Sequence, residues 1–137
     1  MNIMKFKFCT HDPYVLPEGN YHAEFSLVAE PAANPKCEAP LRLTLDVLYP
    51  LPDNLPRKVA KTYCTDCDRN SDLINHLSSA LQAEVEALLD EHEMLDAKKL
   101  IGRRVDITVE HVQTDGYDKP FIKLAGMFPA GTFKLKE

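Results

Sequence analysis

Two groups of residues in this chain have the types and spacing that chemistry requires. The first is Cys64-Thr-Asp-Cys67. Two thiols separated by two residues can grip one ion from a single turn, which is half of a zinc site. A structural zinc needs four ligands, usually from a second pair. His76 and Asp68 are nearby donors, but Cys9 and Cys37 are far off in the chain and not paired in spacing. The pair also precedes a predicted helix, where a redox motif would sit, but the strand order around it is not thioredoxin-like. The expectation is therefore two incidental cysteines, no metal centre and no cofactor; if a metal is held, Cys64 and Cys67 hold it. With no export signal in MNIMKFKFCTHD, reduced thiols are expected throughout.

The second group is basic and aromatic. Arg42, Arg57, Lys58, Lys61, Arg103, Arg104, Lys119 and Lys123 lie on or beside predicted strands, with Tyr63, Tyr117 and Phe121 close by in sequence. A single-stranded nucleic acid needs this combination, because cations track phosphates and flat rings accept bases. The competing reading is solubilising charge over core aromatics. No serine sits in a Gly-flanked elbow, no glycine loop cradles phosphate, and the five histidines lack metal-ligand spacing. The chain reads as a binding protein and not as an enzyme.

The elements that must position these groups follow from periodicity. From Gly19 the residues alternate, with Tyr21, Ala23, Phe25 and Leu27 on one face. PAANPKCEAP, residues 31–40, is a loop, and LRLTLDVLY alternates again with Arg42, Thr44 and Asp46 outward. PLPDNLP is a second proline-rich connection before RKVAKTYC, residues 57–64, a third strand. Leu73, Leu77, Leu81, Val85 and Leu88 then recur at three- and four-residue spacing, an amphipathic helix that Asn70 or Ser71 can cap. The helical segment is expected to run on through Gln82 to Glu93, with Asp96 capping a last short turn that Gly102 closes. Val105, Ile107 and Val109 share one face of a fourth strand, residues 113–119 turn, and a fifth strand runs from Phe121 to Phe128.

Three strands, one helix and two strands is the layout of a five-stranded oligonucleotide/oligosaccharide-binding (OB) barrel. That makes residues 1–18 an irregular arm, 19–128 the barrel and 129–137 a tail, in one domain of 137 residues. In such barrels the ligand crosses strands two and three between the loops joining strands 1–2 and 4–5. Here those loops are residues 31–40 and 113–119.

Net charge is −5, but it is unevenly placed. Residues 72–96 hold seven acids and no Lys or Arg, which leaves 14 acids against 16 basic residues elsewhere, a balance of +2. The acidity belongs to one segment, expected on the side away from the cations. No apolar run approaches membrane-spanning length. The expectation is a cytoplasmic protein with no membrane partner, with self-association left open.

The motif order also resembles a family of small phage and prophage proteins of uncharacterised function. The matching steps are Gly19-Asn-Tyr21, Lys61-Thr62-Tyr63, Ser71 to Leu73, Leu100 to Arg103, Val109 to His111 and Met127 to Pro129. The cysteine pair and the long acidic segment depart from the family pattern. The resemblance implies a single-strand-binding accessory to phage replication or recombination, with phage or host replication and recombination proteins as further partners. The alternative is a protein-interaction module, an inhibitor of a host nucleic-acid enzyme whose acidic segment imitates phosphate charge.

Overall fold

A computed structural model describes residues 16–51, 56–66, 68–113, 115–116 and 120–135. Five strands, β1 (Gly19–Ala29), β2 (Pro40–Tyr49), β3 (Arg57–Cys64), β4 (Arg104–Val112) and β5 (Phe121–Pro129), form one antiparallel sheet. Its order is β3-β2-β1-β4-β5, so the first strand is central and the two edges are β3 and β5. The alternation in sequence sets the register, since a slip of one residue would turn every apolar side chain to the other face. Tyr21, Ala23, Phe25, Leu43, Leu45, Val47, Val59, Val105, Ile107, Val109 and Met127 all point into one core. Register shifts between His22 and Ala23, Phe25 and Leu27, and Thr108 and Val109 interrupt the ladders. Such bulges bend strands and increase twist, and the edge strands β3 and β5 approach each other.

The shift beyond Phe25 corrects the expected face of β1. Leu27 was expected on the inward face with Phe25, but it is 56% exposed because the extra residue rotates the end of the strand outward.

Between β3 and β4 the apolar stripe divides into two helices, α1 (Ser71–Leu81) and α2 (Glu84–Leu88). Leu73, Leu77, Ala80 and Leu81 bury one face of α1, which packs on β5 and touches β3 and β4. Each fully buried leucine contributes roughly 1.5–3 kcal/mol. Asn70 precedes the helix without a side-chain cap; its carbonyl instead accepts from the amide of Ile74 at 3.0 Å. At Gln82 the backbone reverses with φ 50°, ending α1, so the expected continuous helix to Glu93 is broken. Beyond α2, the Asp90 carboxylate accepts from the amides of His92 and Met94 at 2.8 and 3.0 Å, closing a loop where helix was expected. These two bonds lower the Asp90 pKa below its ordinary value.

The chain enters β4 as the sequence indicates. Asp96 accepts from the amide of Lys98 at 3.0 Å, a 3-10 turn spans Ala97–Leu100, and Gly102 takes φ 91°. Val105, Ile107 and Val109 are essentially inaccessible, and Arg104 is exposed. Asp106 is also buried, although it lies on the opposite face of β4. The segment after β5 covers it: Asp106 accepts from the amide of Phe133 at 2.8 Å and pairs with His22 Nδ1 at 2.6 Å. No helix among the described residues is long and apolar enough to cross a membrane.

Candidate nucleic-acid interface

The sheet face away from the core carries the candidate surface. Cross-strand register aligns Lys58, Asp46, Glu24 and Arg104 in one row over four strands. Lys58 Nζ lies 2.5 Å from Asp46, and Arg104 Nε lies 3.7 Å from Glu24. The row therefore balances its own charge. Arg42 occupies the neighbouring part of the face, exposed on β2, where Nη1 donates to Thr62 Oγ1 of β3 at 3.4 Å. It has no carboxylate partner among the described residues.

The other cations identified in sequence are placed differently. Arg57 is buried, with Nη1 donating to the Pro56 carbonyl at 3.2 Å, so it offers no surface to a strand. Arg103 binds Glu84 of α2 at 2.8 Å. The acidic segment thus reaches the root of the β4–β5 hairpin and does not lie wholly on the side away from the cations. Lys61 leans 5.1 Å over the Tyr63 ring and 3.8 Å from Asp72. Lys123 is exposed on β5, opposite Glu110.

The three aromatic candidates also separate. Tyr63 is a core residue, 3% exposed, and its hydroxyl meets His76 Nδ1 at 2.7 Å, so no base can stack on it. Burial, aided by the nearby Asp72 charge, drives its pKa far above the ordinary tyrosine value. The phenol stays protonated and shares this hydrogen bond with the imidazole. Burial also lowers the His76 pKa, as does Lys61, against an opposing effect of Asp72. Phe121, by contrast, is 50% exposed, beside the 42% exposed Val112 that it pairs across the ladder. Tyr117 and Lys119 lie outside the described residues.

The cysteines correct the sequence expectation most directly. Cys37, distant in the chain, forms a disulfide with Cys64 across 27 residues, with Cα atoms 5.7 Å apart. Those two thiols are therefore oxidised, contrary to the reduced state expected. The partner of Cys64 comes from the 31–40 loop; Cys67 and Cys9 lie outside the described residues. No spacing rule points to Cys37, but pairing β2 with β3 sets Pro40 opposite Cys64, which brings the stretch just before Pro40, Cys37 included, to the end of β3. The counter-ions Glu24, Asp46 and Glu84 were likewise missed, although strand alternation marks the first two as outward-facing.

No model of a known protein family matches the chain, and comparison with curated proteins finds no relative.

Proposed function

We propose that this protein binds single-stranded DNA without catalysing a reaction, as an accessory of phage replication or recombination, on a sheet that closes into an OB-type barrel. The strand order β3-β2-β1-β4-β5 favours this reading, because joining β3 to β5 completes the five-stranded barrel. The phage setting rests on the motif resemblance alone.

The observation that carries the binding reading is Arg42, exposed on the outer β2–β3 face with a hydroxyl and no described carboxylate as neighbour. Lys58 and Arg104 extend the same face, and Lys123 with Phe121 adds a cation and a half-exposed ring on β5. The Lys58–Asp46 and Arg104–Glu24 bridges are open to solvent. Exposed pairs contribute only about 0–1 kcal/mol, so a phosphate can replace either carboxylate at little cost.

Fluorescence anisotropy of a labelled single strand between about 50 and 200 mM salt tests this. Four phosphate contacts, from Arg42, Lys58, Arg104 and Lys123, predict a slope of log affinity against log salt of about −3. Arg42→Ala should flatten that slope by about 0.7 and weaken all sequences alike. Phe121→Ala should cost about 1–3 kcal/mol of affinity with the slope unchanged. If wild-type protein leaves the strand unbound at the lowest salt, the nucleic-acid reading fails.

The second reading, a protein-interaction module, is favoured by the Arg103–Glu84 bridge. That bridge spends a candidate phosphate ligand on the acidic segment and sets Glu84 at the root of the hairpin, with Glu86 exposed on the same helix. A basic protein surface would then be the partner.

A further inference from the structure

We propose that Cys37, Cys64 and Asp66 form a redox-gated site for a thiophilic divalent metal such as zinc, closed while the disulfide is intact and opened by its reduction. Both sulfurs and an Asp66 carboxylate oxygen lie within 4.8 Å of one another. Two thiolates and a carboxylate are a ligand set that zinc accepts, and they leave one tetrahedral position for water or an exogenous ligand.

The surroundings hold the three ligands in place without using the sulfurs. Thr65 donates to the Ala39 carbonyl from its amide at 3.1 Å and its hydroxyl at 2.6 Å. The Glu38 amide donates to Asp66 Oδ2 at 3.0 Å, and Arg69 donates to the Lys36 carbonyl. Asn34 turns the chain back at Cys37, whose amide it accepts through both carbonyl and side chain at 3.1 and 3.0 Å. The two segments therefore stay joined when the sulfur–sulfur bond is cut. The Glu38–Asp66 bond orients the carboxylate, as outer-shell donors do in metal sites. A cleft of about 440 Å³ beside Cys37 and Asp66 gives an ion a route from solvent.

The chemistry balances with a reductant of the phosphine or dithiol class. Two electrons and two protons convert the disulfide to two thiols. A phosphine takes the oxygen of a water molecule, whose two protons go to the sulfurs, and becomes its oxide; a dithiol gives up its own two protons and becomes a disulfide. Metal entry then releases the two thiol protons and forms two metal–sulfur bonds. With zinc–sulfur bonds of about 2.3 Å, the sulfurs must separate to roughly 3.8 Å.

Cobalt(II) tests the site, since its thiolate complexes absorb in the near ultraviolet, and zinc displaces the cobalt. Full-length protein reduced with a phosphine should develop the thiolate–cobalt band at one cobalt per chain and lose it on adding zinc. Oxidised protein should develop none. Cys64→Ser should abolish the band, and Asp66→Asn should weaken cobalt binding by more than the roughly 10–100-fold that loss of an outer-shell partner costs. Circular dichroism checks that each protein retains its sheet, and Asp66→Asn leaves both cysteines in place should Cys64→Ser unfold. No band in reduced wild type overturns the proposal. So does a band that persists in folded Cys64→Ser, or an affinity unchanged by Asp66→Asn.

Discussion

At the scale of single residues, the polar groups within and beside the core follow from pairing, not from composition. Burial and Lys61 favour the neutral form of His76, whose Nδ1 shares a hydrogen bond with the Tyr63 hydroxyl. Its folded pKa lies below the ordinary 6.5, so the unfolded chain binds the proton more readily. The resulting stability is complete above pH 6.5 and is lost as pH falls from there toward the lowered folded value. We therefore expect denaturant midpoints to drop below pH 6.5 more steeply for wild type than for His76→Gln. The glutamine can still share a hydrogen bond with Tyr63 but does not titrate. Parallel pH curves for the two proteins would assign the acid sensitivity to other groups.

At the scale of elements, the break between α1 and α2 is decided by one residue. Gln82 has φ 50° and ψ −123°, a conformation that costs a side-chain-bearing residue about 1–3 kcal/mol. Leu81 before it and Leu88 after it are both buried, so packing on either side holds the strained turn. Gln82→Gly removes the steric conflict, against a glycine entropy cost of about 0.5–1 kcal/mol. The expected outcome is a net gain of up to about 2 kcal/mol in unfolding free energy, read by urea denaturation. A loss of stability would mean that the turn is relaxed as it stands. The same turn presents Glu84 to Arg103, so the break also places part of the acidic segment near the hairpin.

At the scale of the whole molecule, the disulfide ties the loop between β1 and β2 to the end of β3. A crosslink spanning 27 residues restricts the unfolded chain and so contributes about 3–4 kcal/mol in the loop-entropy account. Reduction with a phosphine in metal-free buffer should lower the unfolding free energy by about that amount, read by chemical denaturation. If the proposed metal site forms, adding zinc to the reduced protein should return part of the loss, because ligand binding to the folded state stabilises it.

Much of this arrangement is legible in the sequence. The strand alternation, the proline-rich connections, the Asp96 cap and the glycine at 102 are local features, and local sterics and hydrogen bonding decide them without reference to the rest of the chain. The inward faces of β2 and β4 follow from the same period of two. What the sequence leaves open depends on residues far apart in it. A bulge beyond Phe25 rotates Leu27 outward, and the turn at Gln82 divides one apolar stripe between two helices. Arg57 and Tyr63 look like any strand cation and strand aromatic until their neighbours are known. Strand pairing sets Lys58 against Asp46 and Arg104 against Glu24, turning a sequence rich in candidate phosphate ligands into a largely self-compensated face. Cys37 meets Cys64 only because β2 lies antiparallel to β3. Charge compensation and thiol proximity are properties of distance in space, and only the tertiary structure sets those distances.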